Sequence, residues 1–325
     1  MRKLKTGEQG MQYQVRSSAL AGFDRLVVEL GGDPLALLEA EHLHPSALAS
    51  ADMMLSYRAV ARLLTRSARQ LECPDFGYRL GQRQGLELLG ALGVYLCIQD
   101  SLFDAFEVGL KALDYHVQGI HIDAVGENGC TEFRLGFVFE AELDCQQLRQ
   151  LTLSNIANIV SELSGGQCVP CQPLTHGAST LVFASVDLAQ PVNTSEVMRQ
   201  RLFARWRRQA PSRPNPQQVP VDEAVTRAIL ALLPTGDVSL VSIARVLELP
   251  ARTLQYRLRQ CGSSYGALLQ GCRRQLACQW LEQTGFTVTD IALRLGYAEP
   301  AVFNRAFKGW YGVSPSQWRL GEREC

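Results

Sequence analysis

Residues 242–258 read SIARVLELPARTLQYRL, and residues 290–307 read DIALRLGYAEPAVFNRAF. The two stretches carry one helical pattern about 48 residues apart, with an Ile-Ala pair near each start and paired apolar residues near each end. This spacing predicts a short helix, a turn of three to four residues and a second helix in each copy. That is the length pattern of a helix-turn-helix. We place the two units at about 239–260 and 287–309, and two such units indicate a chain that contacts DNA at two neighbouring places.

The second helix of each unit has an apolar face and a polar face. Leu254 with Leu258, and Phe303 with Phe307, lie four residues apart and are predicted to pack inward. The outward-facing candidates for DNA contact are Arg252, Thr253, Gln255, Tyr256 and Arg259 in the first unit, and Ala301, Asn304, Arg305 and Lys308 in the second. Arg, Gln and Asn make paired hydrogen bonds to base edges in the major groove, whereas Arg259 and Lys308 are placed for phosphates. A single unit of this kind is equally well explained as an ordinary solvated helix, and the duplication favours DNA.

The C-terminal part strongly resembles the AraC-type transcription regulators. The resemblance covers about residues 222–320 and rests on Ile291-Ala292, Leu295-Gly296-Tyr297, Phe303, Arg305, Phe307-Lys308, Gly312, Ser314-Pro315 and Trp318-Arg319. It implies two helix-turn-helix units bridged by a long helix, with the two recognition helices entering successive major grooves. Apolar residues from Tyr265 to Leu281 predict that bridge, which Gly285 would end. Its roughly 25 Å length suits recognition helices that sit about 34 Å, one DNA turn, apart.

The chain departs from the family pattern at a few positions. Pro250-Ala251 and Pro300-Ala301 stand where relatives often have a serine, so a side-chain cap is lost from those positions. Glu248 occupies the turn position that Gly296 fills in the second unit. Tyr256 stands where an arginine is common. The first unit is therefore expected to read its bases differently, while the fold is unaffected.

The region before residue 208 has a mixed pattern. Helical stretches are predicted at 20–30, 34–41, 56–71, 86–98 and 101–116, and again at 144–163 behind an Asp144/Gln147 capping box. Alternating strands are predicted at 119–125 and 131–139 around the hairpin Glu127-Asn128-Gly129. Further strands are predicted near 169–174 and 180–186, and a basic helix at about 195–209. The chain is thus divided into an α+β sensing and dimerisation domain (1–207), a Pro-rich linker (208–220) and an all-α DNA-binding domain (221–325).

Residues 20–205 resemble the N-terminal domain of the "arabinose-binding" AraC subgroup. The resemblance rests on Gly32-Asp33-Pro34 with Leu37-Leu38, on the hexapeptide from Phe76 to Gly81 and on the stretch from Leu89 to Gly93. The segment between residues 176 and 181 is shorter than expected for that subgroup. The arabinose ligand of the subgroup is not carried over.

Composition sets outer bounds on function. The 325 residues contain 32 basic and 32 acidic side chains, so no overall charge steers a partner. Six arginines lie between residues 199 and 213 with no acid among them, which is a local basic surface of the kind that nucleic acids need. No apolar stretch reaches the roughly 18 residues of a membrane span, and no secretion signal is recognisable. We expect a cytoplasmic protein that does not contact a membrane, with its ten cysteines reduced.

No motif points to catalysis, a cofactor or a metal. Cys168-Val-Pro-Cys171 is the one Cys-x-x-Cys, and a structural role is favoured over thiol sensing or zinc because redox pairs need a cysteine at a helix N-terminus. A DNA-repair methyltransferase would need Pro-Cys-His-Arg, and residues 170–173 read Pro-Cys-Gln-Pro. We therefore expect a sequence-specific regulator, not an enzyme, that binds double-stranded promoter DNA as a homodimer. It would be an activator acting on RNA polymerase, controlled by a small-molecule effector of the N-terminal domain. The open alternatives are a thiol-responsive or constitutive regulator without a metabolite ligand, and a DNA-repair enzyme.

Overall fold

The computed structural model describes residues 13–49, 53–117, 119–173, 178–208, 220–283 and 286–321. The chain divides into two compact units, one formed by Tyr13–Pro220 and the other beginning at Val221. Within the described residues, no single helix is long and apolar enough to cross a membrane. One bent pair of helical segments, Val221–Thr235 with Leu240–Val246, passes that test by length and composition alone. The linker predicted at 208–220 falls almost wholly outside the described residues.

The first unit combines helices with two small antiparallel sheets. Its helices are α1 Phe23–Glu29, α2 Pro34–Ala40, α3 Tyr57–Gln70, α4 Phe76–Gly81, α5 Ala91–Leu96, α6 Leu102–His116, α7 Gln146–Leu163, α8 Ser185–Leu188 and α9 Glu196–Arg208. Strands β1 Gln14–Arg16 and β2 Met54–Ser56 pair with each other. Strands β3 Ile120–Glu127, β4 Cys130–Phe137 and β5 Thr180–Ala184 form the second sheet in the order β3-β4-β5. The predicted α+β class of this unit is confirmed.

The larger sheet is held by its hairpin and its aromatic face. Glu127 pairs with Cys130 across the turn, where Asn128 and Gly129 take positive φ values of 50° and 76°. Phe133, Phe137 and Phe183 are buried on the sheet, and the ring of Phe106 on α6 lies 4.1 Å from that of Phe133. The predicted hairpin and the alternating aromatic face are therefore confirmed.

Helix α7 lies against α4 at unusually short range. A Cβ at Gly77 would come within 2.0 Å of the Gln147 carbonyl oxygen, and one at Gly81 within 2.6 Å of that of Leu151. Only glycine at these two positions, one turn apart on α4, lets the backbones approach so closely. This contact gives a physical reason for the Phe76–Gly81 motif on which the subgroup resemblance partly rests.

Three predicted features of the first unit are wrong. Residues 86–98 do not form one helix, because Gly90 (φ 56°, ψ −126°) separates a 3-10 turn, Leu86–Leu89, from α5. Gln147 makes no capping box, because its side chain accepts from Gly77 N and donates to the Pro74 carbonyl, both at 2.8 Å. Residues 169–173 form no strand, although Cys171 N donates to the carbonyl of Val182 on β5; residue 174 lies outside the described residues.

The second unit is built only of helices among its described residues. They are α10 Val221–Leu232, α11 Leu240–Val246, α12 Ala251–Gln260, α13 Tyr265–Gln283, α14 Val288–Arg294, α15 Pro300–Tyr311 and α16 Pro315–Arg319. Two helix-turn-helix pairs, α11 with α12 and α14 with α15, flank the long helix α13. The predicted all-α class with two units joined by a long helix is confirmed. The stop predicted at Gly285 lies outside the described residues.

Candidate nucleic-acid interface

The two helix-turn-helix units close their turns with the same pair of backbone hydrogen bonds. In the first unit, Glu248 N donates to the Arg245 carbonyl and Leu249 N to the Ala244 carbonyl, both at 3.0 Å. In the second, Gly296 N donates to Leu293 and Tyr297 N to Ala292, at 2.9 and 3.0 Å. This is the Schellman arrangement, which needs a left-handed residue just past the helix. The sequence repeat is therefore also a repeat of backbone geometry.

The left-handed position is occupied differently in the two units. Gly296 takes φ 71°, and Glu248 takes φ 51° with a full side chain. The equivalence of these two positions, predicted from the sequence, is confirmed. The connections differ in length, because residues 247–250 join α11 to α12 and residues 295–299 join α14 to α15. The second connection is one residue longer than the first and longer than the predicted three to four residues.

Each second helix is anchored by the predicted pair of apolar residues. Leu254 and Leu258 on α12 are buried, as are Phe303 and Phe307 on α15. The Phe303 and Phe307 rings lie 5.7 Å apart, and Trp318 of α16 packs edge-on against Phe307 at 5.7 Å. These anchors fix which face of each helix is turned away from the core.

The face opposite the anchors carries the candidate DNA-binding residues. On α12 the side chains of Arg252, Gln255, Tyr256 and Arg259 are exposed and that of Thr253 is half-buried. On α15 the exposed set is Ala301, Asn304, Arg305 and Lys308. Tyr256 is 62% exposed, a high value for an aromatic side chain, so its ring is open to a partner. Arg257 and Val302 are also exposed on these helices and were not among the candidates.

Helices α12 and α15 begin without a side-chain cap, as predicted from Pro250 and Pro300. Pro250 is the N-cap of α12, and Glu299 caps α15 without a side-chain hydrogen bond, with Pro300 in the first turn. The first-turn backbone N–H groups of each helix therefore have no local side-chain acceptor. By contrast α14 begins with a capping box, in which hydrogen bonds from Thr287 hold the pKa of the Asp290 carboxyl below its usual range.

Arg273 on the bridging helix is a residue that sequence reasoning missed. Its Nε donates to the Leu295 carbonyl at 2.8 Å and its Nη2 to the Gly296 carbonyl at 3.0 Å. The guanidinium also lies 4.5 Å from the centre of the Tyr297 ring. It thereby holds the turn of the second unit against α13. The sequence offered one signal of this role, because Arg273 lies three residues before Leu276, at the edge of the apolar stripe of the bridging helix.

A tyrosine at the start of α13 holds the first unit in a similar way. The Tyr265 hydroxyl donates to the Val238 carbonyl, just before α11. Burial raises the pKa of this hydroxyl to about 12, so it stays protonated and remains a donor at physiological pH. Each helix-turn-helix is thus tied to the bridging helix by a polar contact of its own.

The surroundings of the Cys168/Cys171 pair disfavour the thiolate form of both side chains. Cys168 is buried and Cys171 exposed. Burial raises the pKa of the Cys168 thiol to about 11 and also raises that of Cys171. The reactive form of cysteine is the thiolate, so raised pKa values lower reactivity. Within the described ranges, no group of three or more His, Cys, Asp or Glu side chains is arranged to hold a metal.

Known proteins share both units of this chain. Residues 243–321 match the family model "Helix-turn-helix domain", and residues 31–174 match "Arabinose-binding domain of AraC transcription regulator, N-term". The HTH-type transcriptional regulator VirS of Mycobacterium tuberculosis is 30% identical over 94% of this chain and 96% of its own length. The ornithine utilization regulator of Pseudomonas aeruginosa is 28% identical over 90% of this chain and 93% of its own length.

A solved structure of the AdpA DNA-binding domain in complex with a target DNA matches a third of the chain. It is 26% identical, covers 33% of this chain and 95% of that one, and has a TM-score of 0.28. The VirS match spans nearly all of both chains, and it shows the family together with the two family models. This chain belongs to the AraC family of DNA-binding transcription regulators.

Proposed function

We propose that this protein is an effector-controlled transcription activator that binds a promoter operator as a homodimer. The two second helices, α12 and α15, enter successive major grooves of one duplex. Their exposed polar faces read bases, and the N-terminal domain, placed at 1–207, carries dimerisation and the effector. The proposal assigns no residue a catalytic role, in keeping with relatives that are named as regulators.

The observation that carries the proposal is the matched exposure of the two candidate faces. Both helices present residues at the same offsets from their buried anchors, so Arg252 and Ala301, Gln255 and Asn304, and Tyr256 and Arg305 occupy equivalent positions. An arginine or amide side chain that pairs with a base edge contributes about 1–3 kcal/mol of discrimination. The first unit would rely on Arg252 and Gln255, and the second on Asn304 and Arg305.

The exposed faces of α12 and α15 carry different side chains, which supports different base preferences for the two units. The first carries Tyr256 where the second carries Arg305, so the first offers an aromatic ring for stacking or for a thymine methyl group. Arg259 and Lys308 lie at the far ends and are assigned to phosphates, which position the protein without reading sequence. The two operator blocks should therefore differ in base composition.

The experiment begins with selection of bound duplexes from a randomised DNA library. Arg252→Ala and Arg305→Ala should each weaken binding to the selected operator by about 1–3 kcal/mol and relax preference at one base position. Arg257→Ala is the matched control, because it removes the same charge from the same helix outside the candidate face. It should weaken operator and random DNA equally and flatten the salt dependence by about one phosphate contact.

If all three variants weaken binding to operator and to random DNA equally, with no change in base preference, charge alone drives binding. Unchanged footprints for both Arg252→Ala and Arg305→Ala would overturn the assignment of the reading faces. Dimerisation is tested separately by sedimentation of the full chain. Activation is tested by transcription in vitro with RNA polymerase on a template that carries the selected operator.

The thiol-responsive alternative is less well supported, because burial raises the pKa of both cysteines of the pair. Cys168→Ser with Cys171→Ser should leave the oxidant response of operator binding unchanged. A response that disappears in this double variant would restore the alternative.

A further inference from the structure

Two adjoining cavities lie inside the first unit, between α6, α7 and strand β3. Their volumes are about 160 and 110 Å³. Five apolar side chains border both cavities, namely Leu89, Leu113, Ile122, Ile156 and Ile159. A cavity of about 150 Å³ lined by Leu, Ile and Phe takes up benzene. The two spaces together therefore suit one elongated ligand larger than a single aromatic ring.

The walls are suited to a hydrophobic ligand. Every residue that lines the smaller cavity is apolar, and these include Phe106, Leu110 and Leu163. A sugar buried there would lose water from each of its hydroxyl groups without gaining a hydrogen bond, and such burial is unfavourable. The larger cavity adds polar side chains, namely Arg16, Ser18, Tyr57, Gln84, Thr152 and Asn155. The polar groups thus belong to the larger cavity, which forms one end of the combined space.

Asn155 offers a specific contact at that end. Its Oδ1 atom is buried and has no hydrogen-bond partner among the described residues. Its Nδ2 donates to Gln84 Oε1 at 3.5 Å, and Gln84 Nε2 in turn donates to the carbonyls of Ala19 and Ala21 at 2.9 and 3.1 Å. Gln84 is buried and fixed by these bonds. Asn155 is therefore oriented with an unused acceptor, and a buried acceptor gains from any donor that reaches it.

We propose that the effector is a compact hydrophobic molecule with a single hydrogen-bond-donating group, of the class of medium-chain alcohols and alkylphenols. Its apolar part occupies the smaller cavity, and its hydroxyl donates to Asn155 Oδ1 at the larger one. This assignment rests on the proposed function, in which the N-terminal domain binds an effector, and it names the chemistry of that ligand.

The probes separate the apolar from the polar part of the recognition. The full chain is titrated with n-octanol, with its methyl ether, which keeps the shape but cannot donate, and with L-arabinose. Binding is measured by calorimetry and by the shift in thermal unfolding. We expect saturable binding of n-octanol, about tenfold weaker binding of the ether because one hydrogen bond is lost, and no binding of arabinose.

Two variants test the location. Gly109 lies on α6 in the wall of the smaller cavity, and a Cβ there would meet nothing within 4 Å. Gly109→Leu should fold well, because leucine favours a helix over glycine, and should fill the space and abolish octanol binding. Gly271→Leu, in open space on α13, is the matched control and should bind normally. Asn155→Leu should remove the preference for n-octanol over its ether.

The outcomes distinguish the ligand class from effector control itself. Binding of arabinose, with none of n-octanol, overturns the ligand class and leaves effector control standing. Equal binding of n-octanol and its ether by the unchanged chain overturns the role of Asn155. If no probe binds, and Gly109→Leu only converts a dimer to a monomer in sedimentation, the cavity wall is a contact between two copies and the proposal fails. If, in addition, a cell extract does not change operator binding by the unchanged chain, effector control fails as well.

Discussion

The left-handed turn residue Glu248 is predicted to lower the stability of the first helix-turn-helix. Its φ of 51° is a conformation that costs a residue with a side chain about 1–2 kcal/mol. Glycine adopts it freely but loses about 0.5–1 kcal/mol more backbone entropy on folding. The difference predicts that Glu248→Gly raises the free energy of unfolding of the C-terminal unit by about 0.5–1 kcal/mol.

The opposite change at the equivalent position should have the opposite sign. Gly296 has φ 71°, and an added Cβ would also lie 3.3 Å from Arg273 Nη2. Gly296→Ala should therefore lower the free energy of unfolding by at least about 0.5–1 kcal/mol. The two variants together test the backbone of one motif in both of its copies.

Tryptophan fluorescence is a suitable assay for the full chain. Three of its four tryptophans, Trp280, Trp310 and Trp318, lie in the second unit. For a unit of about 100 residues, 1 kcal/mol moves the midpoint by about 4–8 °C, so Glu248→Gly should raise it by about 2–8 °C. Glu248→Ala is the control, because it removes the carboxylate and keeps the strain. If Glu248→Ala stabilises as much as Glu248→Gly, the gain comes from the side chain and the backbone argument is refuted.

Three further predictions concern the core, the contact between the bridging helix and the second turn, and the half-buried carboxyl of Glu162. Leu254→Ala should lower the free energy of unfolding of the second unit by about 2–5 kcal/mol. Leu293→Ala, at an exposed position, should change it by less than about 0.5 kcal/mol. Equal effects of the two variants in urea unfolding would contradict the role of Leu254 as an anchor. Arg273→Met should lower the free energy of unfolding by at least about 1.5–3 kcal/mol, because it loses two hydrogen bonds from a charged donor. Arg274→Met, at the exposed neighbouring position, should lower it much less. Burial raises the pKa of Glu162 above its ordinary value of 4.5, so the folded state binds this proton more tightly than the unfolded state. The stability that comes from binding this proton is fully present below the ordinary pKa of 4.5, and it is lost as the pH rises through the folded pKa of Glu162. Above the folded pKa of Glu162, the Glu162→Gln variant should therefore be more stable than the unchanged chain. A difference in free energy of unfolding between the two proteins that stays constant across a pH series would contradict this.

Local signals in the sequence were sufficient where the chemistry is itself local. Asp33, Ser56 and Ser101 cap three of the predicted helices, because a side-chain oxygen that reaches a backbone N–H two or three residues away needs nothing from the rest of the fold. The long helix α13 and the buried anchors of α12 and α15 follow from periodicity for the same reason.

The errors arose where distant residues compete for a group. Gln147 has the spacing of a capping residue, but its amide pairs with backbone atoms about 70 residues away, near Pro74 and Gly77. Arg273 reads as a solvated charge on a helix until the turn of the second unit supplies its two carbonyl partners. The Asn155 acceptor and the two cavities beside it have no sequence signature, because they depend on how several elements pack.

The separate ties of the two units to α13 have a consequence for operator architecture. Tyr265 holds the first unit at the start of this helix, and Arg273 holds the second unit two turns further along. Each residue inserted between them would rotate one reading helix relative to the other by about 100° and advance it by about 1.5 Å. In the proposed binding mode, the length of this one helix therefore sets the number of base pairs between the two operator blocks. Promoters under this regulator should tolerate base changes inside a block far better than a single base pair added between the blocks.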